Sequence, residues 1–241
     1  MIDAYTHLDM SVRDPIGDLA LRMDAAQVDR ALIVETWGKD NRACLENLIA
    51  SPSPRFRVAL CFRPEEGDLS TDVLHLEMVG ALRIRASDIQ NLGPLAKTLE
   101  SSGKWLLPHA ELGIRELKEE LLPLAARHPE LRIYLPHLGW PRRNQHDDED
   151  WLESVSSLSS LPNLIVGISA IAHFSQEAFP HKDIETFAAN LCENFGPDSL
   201  VAGSDYPLFE KDKYSLYMKL AEDWIHGGRE GNSRFESSLF S

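Results

Sequence analysis

Residues with chemically reactive side chains recur at the ends of short apolar segments along this sequence. Imidazoles and a carboxylate that converge on one place can ligate a metal ion or transfer protons. Each such residue alone has a simpler explanation, because polar residues commonly end a strand in solvent. Their recurrence over most of the chain favours a shared site. In chain order they are Tyr5 and His7, Thr36 and Trp37, Arg63, Arg83 and Arg85, His109 and Glu111, His137, Ser169, and Asp205.

Eight apolar segments with the composition of β-strands carry these residues at their carboxyl ends. They alternate with stretches of helical periodicity, and this alternation predicts a parallel sheet. Eight such units predict an α/β fold of the (β/α)8 barrel type, whose site lies at the carboxyl ends of the strands. The predicted strands are Met1–His7, Arg30–Thr36, Phe56–Arg63, Val79–Arg85, Trp105–His109, Arg132–His137, Leu164–Ser169 and Leu200–Asp205.

Amphipathic periodicity predicts helices between the strands. Gly113–His128 places Leu117, Leu121 and Leu124 on one stripe, and Pro129 then discourages continuation of the helix. The segment Glu65–Glu77 gives no clear helix, and the stretch after His226 is predicted to be irregular. Similar periodicity predicts helices at Leu92–Leu99, Trp151–Leu161 and Ile184–Phe195.

Composition and charge restrict the class of protein. The 241 residues are 43% hydrophobic and 26% charged, which is typical of a globular chain and predicts one domain over residues 1–241. A formal net charge of −14 disfavours nucleic acid and membranes as partners, so we expect a small-molecule substrate, with a homo-oligomer as an open alternative. Three cysteines without metal-site spacing, and no signal-like or membrane-spanning segment, lead us to expect a cytoplasmic protein.

Three short motifs resemble signatures of the amidohydrolase-related barrel hydrolases. They occur in the family's order, on the predicted first, sixth and eighth strands. The similarity runs from Met1 to about Lys211, and from Gly80 to His137 it is closest to the lactonase-like branch, which includes the pyrone dicarboxylate lactonases. The resemblance implies a hydrolase that opens a small, carboxylate-bearing cyclic ester by water attack at a carbonyl. The motifs are Ile2-Asp3-Ala4-Tyr5-Thr6-His7, Leu135-Pro136-His137-Leu138-Gly139 and Gly203-Ser204-Asp205-Tyr206-Pro207.

The same resemblance implies roles for individual residues. Asp205 would activate water and His137 would polarise the carbonyl; the simpler alternatives are a loop cap and a buried structural histidine. Metal-binding members begin with a His-x-His pair, and Tyr5 stands at the first of those positions. The remaining ligands would be His7, His109 and Asp205, which leaves open a metal-free site, the preferred alternative, or a single divalent ion, most plausibly zinc.

Three arginines end neighbouring predicted strands. Strand alternation places Arg83 and Arg85 on one side of their strand, with Leu82 and Ile84 on the other. A guanidinium group matches a carboxylate in geometry and charge, so we expect Arg83, Arg85 and Arg63 to bind an acidic substrate.

Tyr5 and Trp37 complete the predicted substrate site. The arginines have an equally weighted alternative, which is pairing with nearby acids such as Glu35 or Glu111. Two further functions also stay open: a metal-dependent decarboxylase or hydratase on the same scaffold, and a non-catalytic protein in which Tyr5 marks the loss of activity.

Overall fold

The computed structural model describes residues 1–38, 40–64, 71–142, 148–208, 210–227 and 234–240. Eight strands follow one another in chain order in a single parallel sheet, so the predicted (β/α)8 barrel is confirmed. The strands are β1 (Ile2–Thr6), β2 (Arg30–Val34), β3 (Phe56–Cys61), β4 (Val79–Arg85), β5 (Trp105–His109), β6 (Arg132–Leu135), β7 (Leu164–Ile168) and β8 (Leu200–Ala202).

Backbone hydrogen bonds just beyond β8 bring the two edges of the sheet together. The Asp205 N–H donates to the Tyr5 carbonyl at 2.9 Å, and the His7 N–H donates to the Tyr206 carbonyl at 2.6 Å. The barrel is therefore joined at the carboxyl ends of β1 and β8, close to the residues with reactive side chains.

Helices cover the outside of the barrel, and their boundaries follow local signals. The Asp148 carboxylate accepts from the Trp151 N–H and caps one of them, while Gly103 and Gly227 end two others in the left-handed conformation that glycine tolerates. The helices are α1 (Pro15–Ala25), α2 (Arg42–Ala50), α3 (Gly93–Ser102), α4 (Ile114–Arg127), α5 (Glu149–Leu158), α6 (Ile171–Phe174), α7 (Glu185–Phe195), α8 (Tyr214–His226) and α9 (Arg234–Leu239).

Two segments without a clear prediction have defined structure. In the third crossover a 3-10 turn spans Thr71–His75, while residues 65–70 lie outside the described part of the chain. The prediction of an irregular tail was wrong at α9. Its Phe235 is fully buried with its ring centre 4.7 Å from that of Trp105, so packing inside the barrel explains the helix.

Apolar side chains form two cores, one inside the barrel and one between the strands and the helices. Ala81 belongs to the inner core, while Leu82 and Ile84 belong to the outer one. Because side chains alternate along a strand, Arg83 and Arg85 continue the inward series of Ala81, as predicted. No helix in the described ranges is both long and apolar enough to cross a membrane.

Six strands end earlier than predicted, which corrects the predicted boundaries. At two of these points the backbone turns out of the extended region, since His137 has φ 61° and Asp205 has φ 55°. At these six strands the polar residues predicted to end the strand lie in the following loop, whereas Arg85 and His109 do end β4 and β5. The observed ends are Thr6, Val34, Cys61, Leu135, Ile168 and Ala202, in place of His7, Thr36, Arg63, His137, Ser169 and Asp205.

Candidate active site

Four of the predicted residues meet at the carboxyl end of the barrel. The Tyr5 ring centre lies 5.3 Å from that of His7 and 4.4 Å from that of His137, edge-on in both cases. His7 Nε2 lies 3.8 Å from Asp205 Oδ1. All four residues are at most 5% exposed, so the cluster is largely withdrawn from solvent.

Aromatic rings connect this cluster to the rest of the site. The His109 ring centre lies 6.1 Å from that of Trp37 and 5.9 Å from that of Trp140. The Trp140 indole also lies 5.0 Å from the His137 ring and stacks on His173 at 5.4 Å. Burial, together with neighbouring arginines, lowers the pKa of His109 to about 4, so this imidazole is neutral at physiological pH.

His7 presents an unprotonated nitrogen to the cluster. Its Nδ1 lies 2.8 Å from the Val34 carbonyl oxygen, which can only accept, so Nδ1 carries the proton. Burial, with a further contribution from Arg83, lowers the pKa of His7 to about 3. The neutral ring therefore leaves Nε2 as a lone pair directed toward Asp205.

Asp205 follows β8 in the left-handed conformation, which directs its carboxylate into the barrel mouth. Within the described chain, Oδ1 is buried and has no hydrogen-bond partner. Burial raises the pKa of this carboxyl well above its usual range, while the nearby Arg83 guanidinium opposes the shift. When it is ionised, a carboxylate with a raised pKa can take a proton from a bound molecule.

Ser169 contacts both the backbone and the ring of His137. Its Oγ accepts from the His137 backbone N–H at 3.0 Å and lies 2.9 Å from Nδ1 of the same residue. The Ser169 hydroxyl can donate to Nδ1, and in that arrangement the proton of the neutral ring is on Nε2. Burial lowers the pKa of His137, which keeps the ring in this uncharged, single-donor form.

A buried aspartate in β1 supports the loop that carries Asp205. Asp3 Oδ1 accepts from the Ser204 N–H at 2.9 Å, and Oδ2 accepts from the Ser204 hydroxyl at 2.6 Å. Oδ2 also accepts from the Tyr214 hydroxyl at 3.0 Å, which adds α8 to the network. Asp3 thus positions the residue that immediately precedes Asp205.

Arg63 is engaged with the protein itself. Its Nη1 donates to Glu35 Oε1 at 2.8 Å, and its Nη2 donates to the Thr36 and Trp37 carbonyl oxygens. The fully buried Glu35 also accepts from Arg42 and from the Cys61 N–H. The alternative of acid pairing, left open by the sequence, is what the structure shows for Arg63.

Arg83 is different, because its described partner is an uncharged carbonyl. Its Nη1 donates to the Glu35 backbone oxygen at 3.0 Å, and among the described residues no carboxylate pairs with it. The side chain is nevertheless 8% exposed, and it lies beside Trp37 at 5.1 Å from the ring centre. The Arg85 guanidinium lies 4.7 Å from the same ring centre. Both guanidinium groups thus lie beside the Trp37 ring at the mouth of the barrel.

The residues present do not fit a zinc site built from three protein ligands. His7 Nε2 and Asp205 Oδ1 are two suitable donors, but in the described parts of the chain no group of three His, Cys, Asp or Glu side chains could hold a metal ion. Burial also raises the pKa of the Tyr5 phenol, which opposes its use as a charged ligand. No chemical step below is therefore assigned to a metal.

Comparison with known protein families identifies the family of this chain. A family model described as amidohydrolase matches residues 105–225, from the start of β5 into α8. The chain belongs to the amidohydrolase family. In this amidohydrolase the matched segment contains His109, His137 and Asp205, while Tyr5 and His7 precede it.

Individual relatives agree with that family. An L-fucono-1,5-lactonase from Burkholderia ambifaria is 34% identical over 91 residues, which cover 36% of this chain and 30% of the lactonase. An amidohydrolase from Burkholderia multivorans, solved with bound zinc, aligns with a TM-score of 0.75 at 17% identity over 100% of this chain and 95% of its own. A protein from Pseudomonas putida assigned as a 2-pyrone-4,6-dicarboxylic acid hydrolase aligns with a TM-score of 0.72 at 18% identity, covering 99% and 96%. At this identity the two solved structures show the shared barrel fold.

Sequence reasoning missed several residues that shape this site. Asp3 and Ser169 were in view, in a motif and at a strand end, but the sequence did not indicate which residues they contact. His173 was not singled out by the sequence, yet it is half-buried against Trp140. Its position directly after β7 was the available signal, because loops that follow barrel strands form the site.

Proposed function

We propose that this amidohydrolase opens a small, carboxylate-bearing lactone by water attack at the ring carbonyl. The proposal rests chiefly on Asp205, whose buried Oδ1 has no hydrogen-bond partner among the described residues and lies 3.8 Å from His7 Nε2. The partial match to an L-fucono-1,5-lactonase supports a cyclic ester as the substrate class.

In this proposal Asp205 and His7 hold the attacking water. His7 Nε2 and the ionised Asp205 carboxylate are both acceptors, so one water can donate an O–H to each. Asp205 then takes a proton as the water oxygen attacks. The raised pKa of its carboxyl makes the ionised form a stronger base than an exposed aspartate.

His137 stabilises the oxygen that gains negative charge. Its Nε2–H is available because Ser169 occupies Nδ1. A fixed donor directed at a developing oxyanion lowers the activation barrier of the reaction more than a mobile donor does, because the fixed donor need not reorganise during the reaction.

Arg83 supplies the contact for the substrate carboxylate. Arg83 is 8% exposed, and its guanidinium group is bonded to a neutral carbonyl. A bound anion stabilises such a buried cation more than it stabilises a cation that is already paired with a carboxylate. Arg85 and the Trp37 ring flank the same space, and Arg63 positions the segment that carries Trp37.

The reaction conserves atoms and protons within these groups. The water oxygen forms a bond to the carbonyl carbon, and its proton passes to Asp205. The bond from that carbon to the ring oxygen then breaks, and the proton held by Asp205 passes to the departing alkoxide. The product is an open-chain hydroxy acid, and Asp205 returns to its ionised form.

The test is a screen of five- and six-membered lactones, with and without a carboxylate, followed by kinetics of Asp205→Asn. The amide keeps the shape of the side chain but removes its basicity, so we expect kcat to fall by about 10²-fold or more. The matched control is Asp223→Asn, which changes an exposed aspartate on α8 and should turn over at the parent rate. Parent-level turnover by a normally folded Asp205→Asn protein would remove the proposed base.

Chelation tests the metal-free assignment in the same assay. We expect activity to survive dialysis against EDTA and elemental analysis to find well under one zinc per chain. Stoichiometric zinc, with activity lost on its removal and restored by its return, would overturn this part of the proposal. Tyr5→His is the informative companion, because it adds an imidazole as the third donor beside His7 and Asp205 and should tighten zinc binding.

A further inference from the structure

A polar cavity of about 320 Å³ lies at the opposite end of the barrel from the candidate active site. Its walls come from the segments where β3, β4, β5 and β6 begin and from α9. Three basic residues line it: Arg57 near the start of β3, Lys104 just before β5, and Arg132 at the start of β6.

Arg57 is the most deeply placed of the three. Its side chain is 6% exposed, and its Nη2 donates at 3.0 Å to Glu77, whose side chain is 79% exposed. A carboxylate that is so well solvated interacts weakly with its partner. The Arg57 guanidinium also lies 4.8 Å from the centre of the Phe240 ring, which covers it from below the barrel.

Among the described residues, the other two cations donate only to neutral acceptors. Lys104 Nζ donates to the Leu76 carbonyl at 3.2 Å, and Arg132 Nη1 donates to the Gly103 and Ser238 carbonyl oxygens. Burial and the charge of Arg57 lower the pKa of Lys104. In the described lining of the cavity, three cations thus face one exposed carboxylate, in a chain whose net charge is −14.

We propose that this cavity binds a phosphate group. The surplus of positive charge matches a dianion, and guanidinium groups bond phosphate oxygens in pairs. Free phosphate and a small phosphomonoester share this chemistry. The cavity is several times the roughly 30 Å³ that one water occupies in the liquid, which leaves room for an organic group beside the phosphate. This site is separate from the proposed hydrolase site and does not depend on it.

The experiment is calorimetric titration of the whole protein with inorganic phosphate, at an ionic strength held constant with sodium chloride. We expect one saturable site per chain. Lys104→Met keeps the aliphatic stem and removes the charge, and Arg132→Gln removes the guanidinium. Each change should weaken binding by about tenfold or more. The control is Lys97→Met, an exposed lysine on α3, which should bind phosphate like the parent.

Two further arms locate the site and identify its ligand. Arg83→Met alters the other positive end of the barrel and should leave phosphate affinity unchanged. Glycerol 3-phosphate that binds more tightly than phosphate identifies a phosphomonoester as the ligand, and the reverse order identifies the free ion. The absence of saturable binding, or an affinity that stays at the parent value in folded Lys104→Met and Arg132→Gln, would overturn the proposal. Thermal unfolding of each variant with and without phosphate provides the folding check.

Discussion

In the proposed mechanism a single hydroxyl, that of Ser169, controls which nitrogen of His137 carries the proton. Ser169→Ala removes this control, so part of the protein should hold the unproductive tautomer and kcat should fall by about 10-fold. His137→Asn removes the donor itself and should cost about 10²-fold or more. Steady-state kinetics on the lactone found in the screen provides the measurement.

The matched control is Ser157→Ala, which removes an exposed hydroxyl that bonds only within α5. A Ser169→Ala protein with the parent kcat and the parent melting temperature would show that the tautomer of His137 does not matter for turnover.

Asp3 makes the stability of the fold depend on pH. Burial raises its pKa to about 6, although hydrogen bonds from Ser204 and Tyr214 oppose the shift. Between the unfolded value of about 3.9 and 6, the folded protein keeps a proton that the unfolded chain has released, so this residue lowers stability as pH rises. The loss across that window is about 3 kcal/mol.

Asp3→Asn isolates this contribution. An amide oxygen can accept from the Ser204 N–H, and the amide NH2 can donate to the Ser204 and Tyr214 hydroxyls once they rotate. The unfolding free energy of the variant minus that of the parent should therefore be larger at pH 7 than at pH 4. Urea unfolding of both proteins at both pH values measures this difference. The depressed pKa values of His7 and His109 act in the opposite direction but equally in both proteins. A difference in unfolding free energy that does not change with pH would contradict the assignment.

The kinds of residue at the site could be predicted from sequence, whereas their contacts could not. Strand ends carry Tyr5, His137 and Asp205 in a pattern that points to one barrel mouth. Ser169 meets His137 across 32 residues of chain, and Asp3 meets Ser204 across 201. Such contacts follow from barrel closure and from loop conformation, neither of which leaves a local signal in the sequence.

Among the secondary-structure elements, α9 likewise could not be predicted from the sequence. Strand alternation and helix periodicity predicted the barrel, because each repeating unit has its own pattern. The six-residue α9 is too short to be periodic, and it is held by the barrel interior, where the Phe235 ring centre lies 4.7 Å from Trp105 and 4.6 Å from Tyr134. Its existence is a consequence of tertiary packing.

This packing predicts a large stability loss for Phe235→Ala. The side chain is fully buried, so its removal leaves a cavity at the base of the barrel and should cost about 3–5 kcal/mol. Leu216→Ala on α8 is the control, since that side chain is 45% exposed and its loss should cost under about 0.5 kcal/mol. Equal melting temperatures for the two variants would show that α9 does not contribute to the core.

For the molecule as a whole, the sign of the electrostatic force on an anionic substrate depends on the distance of that substrate from the protein. A net charge of −14 repels an anionic substrate from afar, whereas Arg83 attracts it within the barrel mouth. The screening length is about 30 Å at 10 mM salt and about 8 Å at 150 mM. Added salt therefore suppresses the distant repulsion more than the contact with a buried guanidinium.

We expect KM for a carboxylated lactone to fall as sodium chloride is raised from 10 to 150 mM. KM for the uncharged parent lactone should stay constant over the same range, which makes it the internal control. A KM that rises with salt for the carboxylated compound would mean that local attraction by the arginines governs association at every distance.

The left-handed backbone at His137 and Asp205 sets stability against the function proposed for these two residues. With φ angles of 61° and 55°, both positions have the conformation that glycine adopts with least strain. Each also buries a polar side chain, Asp205 with an oxygen that has no partner among the described residues. An optimisation of this sequence for thermal stability alone would therefore select against both side chains. If the proposed roles hold, engineering the protein toward heat resistance has to keep these two positions constant, because the substitutions that relieve the fold most would also remove the proposed base and the proposed oxyanion donor.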